Sequence, residues 1–186
     1  MPILKRENDI FPADLLENKL LLEDEARKWW CIYTMSRREK DLMRKLAVLN
    51  VPYYGPMIPK RNRSSSGRLR TSFVPLFPNY VFLFGDEADR FQAMKTNCVS
   101  RYTEVPDRIE LLTDMRQIFQ AISSNLPLTP ESRLEPGQSV RVRSGPFRGY
   151  EGSVIRREGK TRLLLFLRFL EQGVSMEMDE GLLAPI

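Results

Sequence analysis

Ser139-Val140-Arg141-Val142-Arg143-Ser144-Gly145-Pro146-Phe147-Arg148-Gly149-Tyr150-Glu151-Gly152-Ser153-Val154 decides how the last third of this chain folds. Val140 and Val142 alternate with Arg141 and Arg143, the two-residue period of a half-buried strand. Gly145-Pro146 is a turn signal, Gly149 and Gly152 permit positive φ, and Phe147 stands where it can plug the end of a small barrel. More strands follow in the same texture. Val154 and Ile155 come after Gly152, an apolar run covers Thr161–Phe169, and Val174, Met176 and Met178 alternate with Ser175, Glu177 and Asp179. Turn signals at Pro136-Gly137, Glu158-Gly159 and Gln172-Gly173 separate them. Short strands at this spacing predict a small β-barrel over residues 135–186, about 50 residues and so a marginal independent domain. The Leu- and Arg-rich stretch 161–172 carries high helix propensity, but the turn glycines favour the barrel.

Working upstream, Asn125–Arg133 holds two prolines, several polar residues and no periodicity, so residues 125–134 read as a linker. Before it the pattern is mixed. Trp30–Met35 reads as a strand. Ser36-Arg37-Arg38-Glu39 has the form of a capping box opening a helix that buries Leu42, Leu46 and Leu49 and ends at Asn50-Val51-Pro52. Tyr53–Ile58 and Thr71–Leu76 read as strands around a long polar hairpin loop, Pro59–Arg70, with five basic residues. A strand at Tyr80–Phe84 follows Pro75-Leu76-Phe77-Pro78-Asn79. Asp86 caps a helix over Glu87–Thr96 with Ala88, Phe91 and Met94 inward. Val99–Thr103 is a strand, and Asp107-Arg108-Ile109-Glu110 opens a helix burying Leu111, Met115, Ile118 and Ile122. Residues 29–124 are therefore expected to form an α+β domain with an antiparallel sheet. Residues 1–28 form an extension that reads either as a short amphipathic helix after Pro12 or as an extended arm.

The 186 residues carry 29 Lys+Arg, 24 Asp+Glu and no histidine. Without imidazole there is no Ser-His-Asp triad, no Cys-His dyad and no His-containing zinc site, and no nucleophile–base pairing stands out, so an enzyme is disfavoured. No cofactor or metal is indicated. Cys31 and Cys98 are isolated and read as buried thiols. The first residues lack the apolar core of a signal peptide, no apolar run reaches the length of a membrane span, and a reduced cytoplasm is expected. The charge is concentrated. Residues 29–84 carry ten basic residues against two acidic ones, which favours a polyanionic partner.

The run Ser139–Val154 resembles the KOW motif. Trp30 at a strand start, Arg37-Arg38-Glu39-Lys40 at a helix start, and Pro75-Leu76-Phe77-Pro78-Asn79-Tyr80-Val81-Phe82 together look like the N-terminal domain of the NusG family, and the order matches from Trp30 to Ile186. The resemblance implies an NGN-type antiparallel sheet packed with helices, a linker, and an SH3-like KOW barrel. It implies a monomeric transcription elongation or antitermination factor that binds the clamp helices of RNA polymerase and contacts non-template or upstream DNA. The Phe-Pro-Asn-Tyr form is similar to RfaH-type paralogues. In the barrel, Leu170 and Gln172 replace the Phe and Arg of the housekeeping loop that meets Rho and a ribosomal protein. A specialised factor acting on a subset of operons is therefore expected, with housekeeping NusG and a ribosomal or rRNA-binding KOW protein as rivals.

On that resemblance Pro75, Phe77, Pro78 and Tyr80 are the expected polymerase contacts, with Phe77 and Tyr80 at the rim and Phe82 and Phe84 in the core. Arg37, Arg38, Arg61, Arg63, Arg68 and Arg70 are the expected nucleic-acid contacts. Phe169, Leu170 and Gln172 are the expected recruiting loop of the barrel, through which a ribosomal protein or Rho would bind. Trp30 and Phe147 are expected in the core.

Overall fold

The computed structural model describes residues 7–63, 67, 69–131 and 137–186; within these, the side chains of Leu20, Leu21, Asn62 and Arg70 lie outside the description. The expected nucleic-acid contacts Arg68 and the side chain of Arg70 therefore fall outside the described residues, as do residues 1–6 of the extension and 132–134 of the linker. Internal contacts divide the chain into two units, residues 1–108 and 109–186.

The first unit runs β1 (Ile10–Phe11), α1 (Lys19–Leu22), β2 (Lys28–Thr34), α2 (Glu39–Val48), β3 (Tyr53–Tyr54), β4 (Met57–Arg63), β5 (Leu69–Pro75), β6 (Tyr80–Gly85), α3 (Glu87–Lys95) and β7 (Val99–Glu104). Five strands pair antiparallel in the order β1-β3-β6-β2-β7, and β4 and β5 form a separate two-stranded ribbon. The extension thus contributes both an edge strand and a short helix, because Ile10 and Phe11 pair with Tyr54 and Tyr53.

Alternation along β2 and β6 sets the core. Trp30, Ile32, Val81 and Leu83 share one face and pack with Leu42, Met43 and Leu46 of α2, and with Ala93, Cys98 and Val99. Burying a side chain of this size contributes about 1.5–3 kcal/mol. The opposite face carries Trp29, Cys31, Phe82 and Phe84, all buried. Trp30 also donates from Nε1 to the carbonyl of Gly85 at 3.0 Å, which satisfies its buried N–H.

Several local expectations change. The Ser36 capping box does not form: α2 begins at Glu39 with Arg38 as its N-cap and no side-chain cap. Glu39 is instead buried, and its Oε1 accepts from the backbone N–H of Asn79 at 2.7 Å. Leu49 is 43% exposed, and Met43 joins Leu42 and Leu46 in the core instead. Asp86 does cap α3, in a reciprocal box with Asp89. Yet Ala88 and Phe91 face solvent on that helix, because Ala93 is its buried residue. The expected basic loop Pro59–Arg70 is largely strand, with Lys60 opposite Ser72 and Arg61 opposite Thr71.

The second unit takes nearly all of α4 (Arg108–Ser123), then β8 (Leu128–Glu131), β9 (Gln138–Val142), β10 (Glu151–Arg157), β11 (Lys160–Leu167), β12 (Gln172–Glu177) and β13 (Leu183–Pro185). The strands form one antiparallel sheet in the order β13-β9-β10-β11-β12-β8. Val140, Val142, Leu163, Leu164, Leu165, Leu167, Val174 and Met176 are its buried apolar residues, and Phe147 is 3% exposed at the turn after β9. Gly149 takes positive φ as expected, and Gly145, at the expected turn, does so too. Gly152 does not: it lies within β10, where a Cβ would meet the carbonyl of Leu164. The turn expected at Gln172-Gly173 sits one residue earlier, on Glu171 at φ 52°. Leu128–Glu131, inside the stretch expected to be linker, pairs with β12. Ile122 is only partly buried on α4; Leu111, Leu112, Asp114, Met115, Ile118 and Ala121 face inward.

Candidate partner-binding surfaces

In the first unit the turn between β5 and β6 carries Pro75, Phe77, Pro78 and Tyr80. The Tyr80 N–H donates to the Phe77 carbonyl at 3.1 Å, closing the turn, and Leu76 N–H donates to the Pro56 carbonyl at 2.8 Å. Asn79 at φ 68° supplies the left-handed residue the turn needs. Phe77 is 2% exposed, so it is not the rim residue expected. The turn folds its ring inward and leaves Pro78 exposed, with Pro75 and Tyr80 half-buried. Tyr80 meets Tyr33 edge-to-face at 5.2 Å, and the guanidinium of Arg101 lies 4.6 Å from the Tyr33 ring. Tyr80, Tyr33 and Arg101 are register partners on β6, β2 and β7, so they form one row across the end of the sheet.

The basic residues divide into two groups. Arg37 takes φ 60° between β2 and α2 and is exposed. Arg38 is tied to Asp41 at 3.0 Å. The Cys98 thiol, followed by Lys45 and Arg38, holds the Asp41 carboxyl below its ordinary value. Arg61 and Arg63 sit exposed on β4, fixed by the ribbon's register and not carried on a free loop. Among the described residues no carboxylate pairs with Arg37, Arg61 or Arg63.

In the second unit Phe169 and Leu170 occupy a 3-10 turn, Arg168–Leu170, leading into β12, and both are half-buried, as is Gln172. The residue before them is the one that sequence reasoning missed. Arg168 reaches α4, where Asp114 accepts from its Nη2 at 2.7 Å and from its backbone N–H at 2.9 Å. The signal was present as an acid on the buried face of α4, between Leu111, Leu112, Met115 and Ile118. Gln117 of the same helix accepts from Glu151 N–H of β10 at 3.0 Å. A second missed cluster joins Glu131 of β8 to Ser175, Arg162 and Arg157. Among the described residues no group of three or more His, Cys, Asp or Glu could hold a metal ion, and no helix is long and apolar enough to cross a membrane.

Residues 27–124 match the family model described as "Transcription termination factor nusG", and residues 136–166 match the model described as "KOW motif". The search of curated proteins found no match. A solved structure titled "Crystal Structure of MjSpt4:Spt5 complex conformation B" aligns at 17% identity over 85% of this chain and 96% of that chain, with a TM-score of 0.28.

Proposed function

The chain belongs to the NusG family of transcription factors, and on that footing we propose that it suppresses pausing or termination by RNA polymerase on a subset of operons. Both matched domains are of non-catalytic transcription-factor type, and members of the family bind RNA polymerase. The carrying observation is the β5–β6 turn inside the matched region, where exposed Pro78 and half-buried Pro75 and Tyr80 stand over a buried Phe77. In this reading Pro75, Pro78 and Tyr80 meet the polymerase clamp helices, and Phe77 supports them from beneath. Aromatic residues dominate such interfaces. Arg37, Arg61 and Arg63, with Arg38, Arg68 and Arg70, hold the non-template or upstream DNA by charge. Holding both partners at once keeps the clamp closed, which is a mechanical and electrostatic effect needing no proton transfer.

The loop Phe169, Leu170 and Gln172 recruits a further protein, and the tether raises that partner's local concentration. The Leu and Gln at 170 and 172 favour a specialised factor over a housekeeping one that couples polymerase to Rho or the ribosome. The protein is proposed to act as a cytoplasmic monomer. The test is co-purification of RNA polymerase with the full chain and with Tyr80→Ala. The variant is expected to lose about thirtyfold in affinity. Unchanged binding by a well-folded Tyr80→Ala chain overturns the assignment.

A further inference from the structure

Strand β8 lies where a connecting peptide was expected, yet the barrel holds it residue by residue. Leu128, Thr129, Pro130 and Glu131 stand opposite Met176, Ser175, Val174 and Gly173 of β12. Arg162 of β11 reaches across β12. Its Nη2 donates to Thr129 Oγ1 and to the Ser175 carbonyl, both at 2.9 Å, and its Nε donates to Ser175 Oγ at 2.9 Å. The Ser175 hydroxyl, fully buried, donates to Glu131 Oε1 at 2.7 Å. Arg157 of β10 holds Glu131 Oε2 at 2.8 Å, with the Glu131 side chain 5% exposed.

This arrangement discriminates. A strand lacking the hydroxyl leaves an Arg162 donor short of one partner. A strand lacking the carboxylate leaves a buried hydroxyl and the Arg157 guanidinium without their acceptor, and hydrogen bonds to charged groups are the costly ones to lose. The reading residues Arg157, Arg162 and Ser175 all belong to the barrel and remain when β8 leaves. The strand itself is replaceable: it has four register pairs, and Pro130 brings no N–H to the ladder.

We infer that the β12 edge, with Arg157, Arg162 and Ser175, is a binding site for extended peptides carrying a hydroxyl residue followed two positions later by a carboxylate. Leu128–Glu131 fills that site in cis. The inference rests on the reading that the barrel recruits a protein partner, since Phe169–Gln172 leads directly into the same edge. A partner strand would add to the sheet in place of β8, taking affinity from main-chain hydrogen bonds and specificity from side chains.

The test supplies the strand in trans. The probe is a fluorescent peptide of residues 125–131, with a second peptide bearing Gln in place of Glu131. The proteins are the wild-type full chain and the full-chain variant T129V/E131Q, whose own strand is weakened. The variant is expected to bind the Glu peptide at least about tenfold more tightly than the Gln peptide. It is also expected to exceed the wild-type chain by at least about tenfold, because the cis strand competes at a high effective concentration. Adding Arg157→Gln and Ser175→Ala together to the variant removes both donors to the carboxylate and should abolish the preference for Glu. Absence of peptide binding by the folded variant, equal binding of both peptides, or a preference that survives the paired replacement each overturns the inference. Should the double variant not fold, the single T129V chain carries the same comparison. No polymerase enters the assay, so its outcome is independent of whether the N-terminal domain docks as proposed.

Discussion

Asp114 of α4 is 2% exposed, and its two carboxylate oxygens accept from the backbone N–H, Nε and Nη2 of Arg168 at 2.9, 3.1 and 2.7 Å. Glu110, one turn earlier on the helix, pairs with Nη1 of the same guanidinium at 3.0 Å. The pair ties α4 to the turn that presents Phe169 and Leu170. Arg168→Ala would leave a buried carboxylate with only the backbone donor. It is expected to destabilise the second unit by about 2 kcal/mol, discounted from fully buried values because Arg168 is half exposed. Arg168→Lys should recover little, since an ammonium cannot offer the planar fork. Denaturant unfolding of the full chain measures both.

Phe77 and Tyr80 lie three residues apart and should separate cleanly. Phe77→Ala empties a buried site and is expected to cost about 3–5 kcal/mol of stability. Tyr80→Ala should cost far less stability and more polymerase affinity. Thermal unfolding of both variants beside polymerase binding checks the division. A Phe77→Ala chain of wild-type stability would contradict the burial.

Neutralising Arg61 and Arg63 on the ribbon should flatten the salt dependence of DNA binding. Each phosphate contact contributes about 0.9 to the slope of log K against log salt, so the double Gln variant is expected to lower its magnitude by about 2. Because the backbone at both positions is held on β4 by its pairing with β5, the effect should not depend on the number of residues joining the two strands. Binding to a DNA scaffold at several salt concentrations reads the slope.

Burial pushes the Cys31 thiol from an ordinary 9.0 up to about 12, with Arg101 opposing. A thiol that holds its proton longer in the folded than in the unfolded state stabilises the fold below the unfolded value. That contribution is lost as pH rises from about 9 towards 12. Unfolding midpoints should therefore fall across this window, and Cys31→Ala should remove part of the fall. The native thiol should also resist alkylation at pH 8, where the unfolded chain reacts.

Gly173→Ala is expected to disturb the sheet without any change of φ. A Cβ at this position would meet the backbone carbonyl of Leu165 across the β11–β12 pairing. Backbone cannot yield as a side-chain end can, so the variant should lose stability. Because Gly173 faces Glu131 on its other side, β8 should loosen with it. Amide exchange over residues 128–131 and 172–177 checks this.

Much of the fold was legible in alternation. Val140 and Val142, Ile32 and Leu83 are buried as their periods require. What failed were positions decided by distant partners. The Ser36–Glu39 box was lost because Asn79, forty residues away, took the Glu39 carboxylate. Leu128–Glu131 looks structureless in sequence because its ordering comes from Ser175, Arg162 and Arg157 on other strands. At the candidate site the motif located the β5–β6 turn but not the direction of Phe77, since Leu76, Phe77 and Tyr80 are similarly apolar and only the turn geometry sorts them. The basic ribbon was read as loop because charge masks strand propensity when both faces are solvated.

The ladder of the second unit carries an order of assembly. β9 to β12 form a meander in which each strand pairs with its neighbour in sequence, so these hairpins close over short loops. Ser175 and Glu131 are 44 residues apart. That longer loop costs more entropy to close, and the edge of β12 must exist before β8 can add to it. β8, like β13 at the opposite end of the sheet, closes a longer loop than the meander hairpins do, so the sheet can open at its edges while the meander stays folded.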